Sequence, residues 1–153
     1  MIFLGADHRG FKIKNEILEY LIENFKDTFD CGNLNFDPND DYPDFAFLVG
    51  EKVASNLDIN KGILICGSGE GMAIAANKVK GIRATLCNTV ISSHLSREHN
   101  NANVLVLDSE VSFENAIDIL NEFIKTEFSS DIRHHRRVEK IIKYEEYEVS
   151  ADS

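Results

Sequence analysis

No apolar run in the 153 residues reaches the length of a membrane span, so no membrane partner is expected. The opening Met1-Ile-Phe-Leu-Gly-Ala-Asp-His8 has neither a secretory n-region nor a cleavage site, which points to a cytoplasmic protein. Cysteine is scarce. Cys31, Cys66 and Cys87 are odd in number and lack both a CxxC pair and metal-ligand spacing, so they read as reduced thiols with no metal expected. Positive charge is in deficit, with 16 Lys and Arg against 26 Asp and Glu and a net charge of −10 at pH 7. That balance argues against nucleic acid as a partner, because phosphate attraction needs basic surface. Much of the negative charge sits in Asp37-Pro-Asn-Asp-Asp41 and from Glu145 to Asp152, and both runs read as solvated faces. There is no repeat, low-complexity tract or compositional break. With 43% hydrophobic and 27% charged residues, one soluble domain over 1–153 is expected, its acidic tail frayed from about residue 146.

What is present is an alternation of short apolar runs with amphipathic stretches. Ile2–Ala6, Thr28–Cys31, Gly62–Cys66, Ile82–Cys87 and Val104–Leu107 read as strands. Between them, Phe11, Ile13, Ile17, Leu18, Leu21, Ile22 and Phe25 recur at helical spacing. Pro43 suits the first position of a second helix, and Met72–Lys78 begins a third. Asn88 is positioned to cap a helix towards His99, and Ser112 one to about Phe128, while a last helix covers Arg133 to about Tyr147. Strands that are continuously apolar and alternate with helices predict an α/β fold with a five-stranded parallel sheet covered on both faces.

The segment Ile63-Leu-Ile-Cys-Gly-Ser-Gly-Glu-Gly-Met72 carries the chemistry. It ends a strand on a thiol and follows it with Gly67, Gly69 and Gly71. A Walker loop would need Gly-Lys-Ser/Thr where Gly71-Met72-Ala73 stands, and the dinucleotide fingerprint would need a glycine at 72. What remains is a bare backbone that can wrap a small anion or a developing oxyanion at a helix start. A thiol in that field is expected to have a lowered pKa. On the residues alone, Cys66 reads equally well as a small buried hydrophobe at a strand end.

Other polar clusters stand at places that suit a site. Asp7-His8 follows the first strand and faces the same crevice as Cys66. Arg97-Glu-His-Asn-Asn-Ala-Asn103 precedes the fifth strand and has the composition of a helix C-terminus with asparagine turns. In Arg133-His-His-Arg-Arg137, Arg133 and Arg137 lie one helical turn apart and can grip one phosphate. Salt bridging to the protein's own carboxylates is the alternative use of those arginines.

Together these segments resemble the ribose-5-phosphate isomerase B family, which includes isomerases of six-carbon sugar phosphates. The resemblance runs over roughly Ile2 to Ile142. It rests on Gly5-Ala-Asp-His-Arg-Gly-Phe11, Asp41-Tyr-Pro-Asp44, Ile65-Cys-Gly-Ser-Gly69, Ala75-Ala-Asn-Lys78, Gly81-Ile-Arg-Ala84, His99-Asn-Asn-Ala-Asn-Val-Leu105 and Arg133-His-His-Arg-Arg-Val138. It implies a three-layer Rossmann-like fold and metal-independent aldose–ketose isomerisation of ribose 5-phosphate and ribulose 5-phosphate, with no cofactor. It also implies a homodimer or dimer of dimers with the active site between subunits. Position by position, Cys66 would be the base at C2, Ser68 would move the proton at oxygen, and the amides of Gly67, Gly69 and Gly71 would hold the enediolate. His99 with Asp7 would open the furanose ring, and His8, Arg133 and Arg137 would hold phosphate with His134 nearby. Tyr42, Asn100 and Asn103 match positions that line or support the sugar site.

Three positions depart from the family pattern. Glu70 stands where a small or neutral residue is usual, and its carboxylate is expected to point outward. The glutamate base of one family branch corresponds to Met72, so Glu70 does not replace it. Asp131-Ile132 replaces a Gly-Gly pair ahead of Arg133. A six-carbon aldose 6-phosphate isomerase of allose or galactose type, and a non-catalytic sugar-phosphate-binding subunit, stay open as alternatives. A thiol hydrolase explains the arginines poorly.

Overall fold

Five apolar runs pair side by side into one sheet in the computed structural model, which describes residues 1–25 and 27–151. The strands are β1 (Ile2–Ala6), β2 (Thr28–Asp30), β3 (Lys61–Cys66), β4 (Ala84–Leu86) and β5 (Val104–Asp108). All pairings are parallel, and the order is β2-β1-β3-β5-β4. The helices are α1 (Phe11–Asn24), α2 (Tyr42–Ala54), α3 (Glu70–Ala76), α4 (Val90–Asn100), α5 (Phe113–Lys125) and α6 (Ile132–Ala151).

Side-chain alternation along the strands divides the interior into two cores. Ile2, Leu4, Ile63, Ile65, Leu105 and Leu107 meet Ile13, Ile17 and Leu21 of α1 and Ile119, Leu120 and Phe123 of α5. On the other face, Phe3, Leu64, Cys66, Val104 and Val106 meet Ala46, Val49 and Val53 of α2 and Met72, Ala75 and Ala76 of α3. Each fully buried Leu, Ile or Phe contributes about 1.5–3 kcal/mol. Helix α4 is tied to α5 by polar contacts, with Ser93 Oγ donating to the Ile119 carbonyl at 2.8 Å. The result is the expected three-layer, Rossmann-like α/β arrangement.

Differences from the sequence expectation lie at element ends. The cap of α4 is Thr89 rather than Asn88: its hydroxyl accepts from Ser92 N–H at 3.0 Å, and Ser92 Oγ accepts from Thr89 N–H in return. Strand β4 is shorter than Ile82–Cys87 because it pairs only with β5. On its outer side the Asn77 side chain accepts from Ala84 N–H at 2.8 Å and donates to the Ala84 carbonyl at 2.9 Å, which blunts that edge. Helix α3 starts at Glu70 because Gly69, at φ +83°, makes the tight turn out of β3. Ser112 caps α5 as expected. The acidic segment expected to fray from about residue 146 continues α6 to Ala151, and Asp152 and Ser153 lie outside the described residues.

One buried charge joins α1 to the loop after β2. The Lys14 side chain is fully buried, and its ammonium donates to both Asp30 carboxylate oxygens at 3.0 and 2.9 Å and to the Asn33 carbonyl at 2.6 Å. Removing one partner of such a pair strands the other charge, at a cost of about 3–5 kcal/mol. Lys14→Ala is therefore expected to lose stability on that order in urea unfolding. Lys14→Met with Asp30→Asn should recover part of the loss, because it leaves no unpaired charge.

Candidate active site

The register of β1 against β3 places the candidate chemistry. Ala6 pairs with Ile65, so the residues that follow, Asp7 and Cys66, emerge side by side at the carboxyl end of the sheet. Strand β1 has β2 on its other side and β3 has β5, so the chain leaves this pair in opposite directions. Open α/β sheets bind ligands in the crevice at such a point. A cavity of about 330 Å3 lies here, and Asp7, His8, Tyr42, Cys66, Gly67, Ser68 and Gly71 of the expected set all line it. Gly69, at φ +83°, turns the chain from Ser68 into α3 and does not line the cavity. At Gly71 a Cβ would come within 2.6 Å of the Tyr42 ring, so the missing side chain is what admits the tyrosine.

Cys66 is 4% exposed. Its thiol pKa is raised, contrary to the lowered value expected from the loop. Burial is the largest cause; hydrogen bonds from the Met72 and Gly69 backbone pull it down, the Asp7 carboxylate pushes it up, and the Arg9 guanidinium pulls it down. The amide field is present, but desolvation of the thiolate outweighs it. Ser68 is exposed at the cavity, and its Oγ accepts from Glu70 N–H at 3.4 Å. Glu70 itself is exposed and is not among the cavity-lining residues, so its carboxylate points outward as expected.

Asp7 is buried, and its Oδ1 accepts from Arg9 N–H at 3.0 Å and Gly10 N–H at 3.2 Å, which shapes the entry into α1. His8 contacts Asp40, whose Oδ1 lies 2.9 Å from the His8 backbone nitrogen and 2.7 Å from Nδ1. Asp40 belongs to the acidic run read as a solvated face, yet its side chain is only 6% exposed. Asp7, His8 and Asp40 each offer a ligand atom within 4.8 Å of the others. Asp7 Oδ1, His8 Nδ1 and both Asp40 oxygens are already engaged in hydrogen bonds within the chain.

The remaining expected residues are not brought to this cavity. The His99 ring packs against His134 with centroids 4.2 Å apart and the planes tilted by 34°, and its Nε2 lies 3.5 Å from Glu98 Oε2. His134 Nδ1 is buried without a hydrogen-bond partner among the described residues. Arg133 is held by Asp131, the departure noted in the sequence: its Nε lies 3.2 and 3.1 Å from the two carboxylate oxygens and its Nη2 2.7 Å from one. Asp131 also accepts the Arg133 backbone N–H at 2.9 Å, and these bonds hold its carboxyl well below the usual range. Arg137 is exposed. Asn100 lies instead on a larger cavity of about 810 Å3, with Arg83, Lys140 and Tyr144. Asn103 is buried at the opposite end of the sheet, where its side chain accepts from Arg83 N–H and donates to the Gly81 carbonyl.

Three further residues line the cavity, namely Arg9, Asp40 and Asp41; the sequence points to the loop around Asp37–Asp41 as setting sugar length, but assigns none of the three a role of its own. Arg9 lies close over Gly67, where a Cβ would meet its guanidinium unless the arginine shifted. The only sequence signal for Asp40 was its place ahead of Asp41-Tyr42-Pro43, where the chain returns to the sheet.

Known proteins resemble the chain over nearly its whole length. The profile of the Ribose/Galactose Isomerase family matches residues 2–141. The chain is 48% identical over 145 residues to the probable ribose-5-phosphate isomerase B of Mycoplasma genitalium, covering 94% of this chain and 95% of that protein. It is 43% identical over 150 residues to a putative sugar phosphate isomerase of Bacillus subtilis, covering 95% and 97%. Among solved structures it is similar to ribose-5-phosphate isomerase B from Mycoplasma genitalium with bound ribulose-5-phosphate, with a TM-score of 0.91 at 48% identity over 95% of each chain. The Clostridium thermocellum ribose-5-phosphate isomerase B gives a TM-score of 0.88 at 42% identity, covering 95% of this chain and 97% of that one.

The thiolate is the reactive form of a cysteine, and a raised pKa means that less of it is present at neutral pH. Alkylation of Cys66 by iodoacetamide, followed by peptide mass spectrometry, is therefore expected to accelerate with pH, with a midpoint above that of a free cysteine. A midpoint below the free value would show that the loop field dominates.

Proposed function

The chain belongs to the ribose/galactose isomerase family, and from that membership we propose that it interconverts ribose 5-phosphate and ribulose 5-phosphate in the cytoplasm without a metal ion. One observation carries the reading: a thiol, a hydroxyl and a glycine-rich backbone share a cavity at the β1–β3 crevice. The Cys66 thiolate takes the proton from C2 of the open-chain aldose. The electron pair moves to the carbonyl oxygen, and the backbone amides of residues 67–71 hold the resulting enediolate. One such donor is typically worth about 10²–10³ in rate. Ser68 passes a proton between O1 and O2, and the thiol returns its proton to C1. Tyr42 closes the cavity wall at Gly71.

The phosphate falls to His8, Arg133 and Arg137, and opening of the furanose ring to His99 with Asp7. Planar guanidinium forks suit a dianion better than ammonium groups do. His99, Asn100, Arg133, His134 and Arg137 do not line the Cys66 cavity within one chain. A homodimer or dimer of dimers, in which a second copy supplies them, accounts for that separation. The pentose assignment is favoured over six-carbon phosphates by the names of the relatives, and retention of Cys66, Ser68 and His99 favours an enzyme over a non-catalytic subunit.

A coupled assay with ribose 5-phosphate in the presence of a chelator tests the reading, and undiminished turnover is expected. Cys66→Ala should lower kcat by about 10²–10⁴ while substrate still binds. Near-normal turnover of that variant would remove Cys66 as the base, and a higher kcat/KM for allose or galactose 6-phosphate would move the substrate to six carbons. Asp131→Ser keeps a helix-capping oxygen but removes the carboxylate that occupies Arg133. Its KM for ribose 5-phosphate is expected to fall, by up to about fivefold, as for release of an exposed ion pair.

A further inference from the structure

The loop between β2 and α2 sends one carboxylate back into the cavity, where it meets an imidazole. Asp40 Oδ1 takes both the backbone N–H and Nδ1 of His8, at 2.9 and 2.7 Å. Its Oδ2 accepts from the Asn33 side-chain amide at 3.2 Å. The Asn33 carbonyl is held in turn by the buried Lys14 ammonium at 2.6 Å. The carboxylate is thus built into the fold rather than resting on its surface: its side chain is 6% exposed, against 32% for His8. Burial pushes the Asp40 carboxyl up, but hydrogen bonds from the His8 backbone, the His8 ring and Asn33 hold it below its ordinary value, so it is ionised at neutral pH. An ionised carboxylate only accepts, so the proton between the two groups is on Nδ1.

A neutral ring with its proton on Nδ1 offers only a lone pair at Nε2. That is the wrong partner for a phosphate monoester dianion, which has no proton to donate. We propose that Asp40 is the positioning residue for His8: it fixes the Nδ1–H form, leaves Nε2 for the cavity, and allows the ring to take a second proton from solvent as the phosphate dianion binds. In the complex the imidazolium then lies between two anions, Asp40 on Nδ1 and the phosphate on Nε2. The inference rests on the reading that His8 holds phosphate. The other charged or titratable groups around the same cavity are Asp7 and Arg9 on the loop after β1, Asp41 and Tyr42 at the start of α2, and Cys66 at the end of β3.

Two measurements on the full chain test this, and neither depends on turnover. Long-range 1H–15N correlation spectra of the free protein should show His8 protonated at Nδ1. Calorimetric titration at pH 8 with methyl phosphate, a monoester dianion that carries no proton of its own, in buffers of different ionisation enthalpy, should show proton uptake on binding. Asp40→Asn keeps a carbonyl for Nδ1–H but loses the charge. It is expected to keep the tautomer, lose most of the proton uptake and weaken phosphate binding by about tenfold. His8→Gln should abolish the uptake. With ribose 5-phosphate, Asp40→Asn should raise KM with kcat changed by less than about threefold, as for a contact made equally in ground and transition states. An Nε2–H tautomer in the wild type, or phosphate binding and proton uptake unchanged in Asp40→Asn, would overturn the proposal. Absence of isomerisation with phosphate linkage intact would instead refute the substrate assignment and leave the role of Asp40 standing.

Discussion

Parallel pairing of β1 with β3 is the contact on which the rest of the candidate site depends. It sets Ala6 opposite Ile65, and so sends Asp7 and Cys66 out of the sheet together. Because strand side chains alternate, a slip of one residue would move Cys66 from the α2–α3 face to the α1–α5 face. Both strands are apolar on both faces, and two separate cores hold the register: Leu4, Ile63 and Ile65 on one side, Phe3 and Leu64 on the other. The stability of the interior and the geometry of the cavity are therefore the same fact seen from two ends of one ladder.

A second constraint is electrostatic. A chain of net charge −10 that binds an anion must keep its own carboxylates from occupying the site. Near the cavity three of them are consumed, while Asp41 lines it exposed. Asp7 accepts two backbone amides, Asp30 is paired with Lys14, and Asp40 is turned onto His8 and Asn33. Glu70 stays in solvent at the first turn of α3, where a negative charge complements the helix end. Asp131 does the opposite, holding the guanidinium of Arg133. In the proposed reaction that contact is one the substrate must displace.

Much of the fold was legible in the sequence because buried parallel strands write themselves as short unbroken apolar runs, and β1 was read to the residue. Legibility failed where two adjacent residues could do the same job or where burial and pairing diverge. Asn88 and Thr89 can both cap a helix, and only the reciprocal bond with Ser92 decides between them. Ile82 and Cys87 are buried like strand residues but lie outside β4. In the site, the thiol, the glycine loop and Asp7-His8 could be placed from topology. Asp40 could not, since a charge run looks solvated until the loop that carries it is folded. The grouping of His99 with His134, away from Cys66, was also invisible, because the spacing within α4 and α6 does not say which side chains of the two helices meet.

The raised Cys66 pKa bears on how the proposed chemistry is driven. A buried thiolate is a strong base that is seldom present, and the Asp7 carboxylate makes it rarer still. A bound phosphate dianion would act in the same direction. Arg9 is the charged side chain that acts on the sulfur the other way, and it lies against Gly67, beside the amides assigned to the enediolate. When the C2 proton moves to sulfur, negative charge leaves Cys66 and appears on the sugar oxygen nearby. A cation near Cys66 and Gly67 favours the charge before transfer and, in the proposed pose, after it, whereas the burial that opposes the thiolate is relieved once the thiol is neutral. Desolvation that penalises the base before proton transfer, and not after it, raises the driving force for the transfer itself. On this view the buried thiol is not a poorly tuned base; its environment exchanges abundance of the thiolate for basicity at the moment the carbon acid is presented.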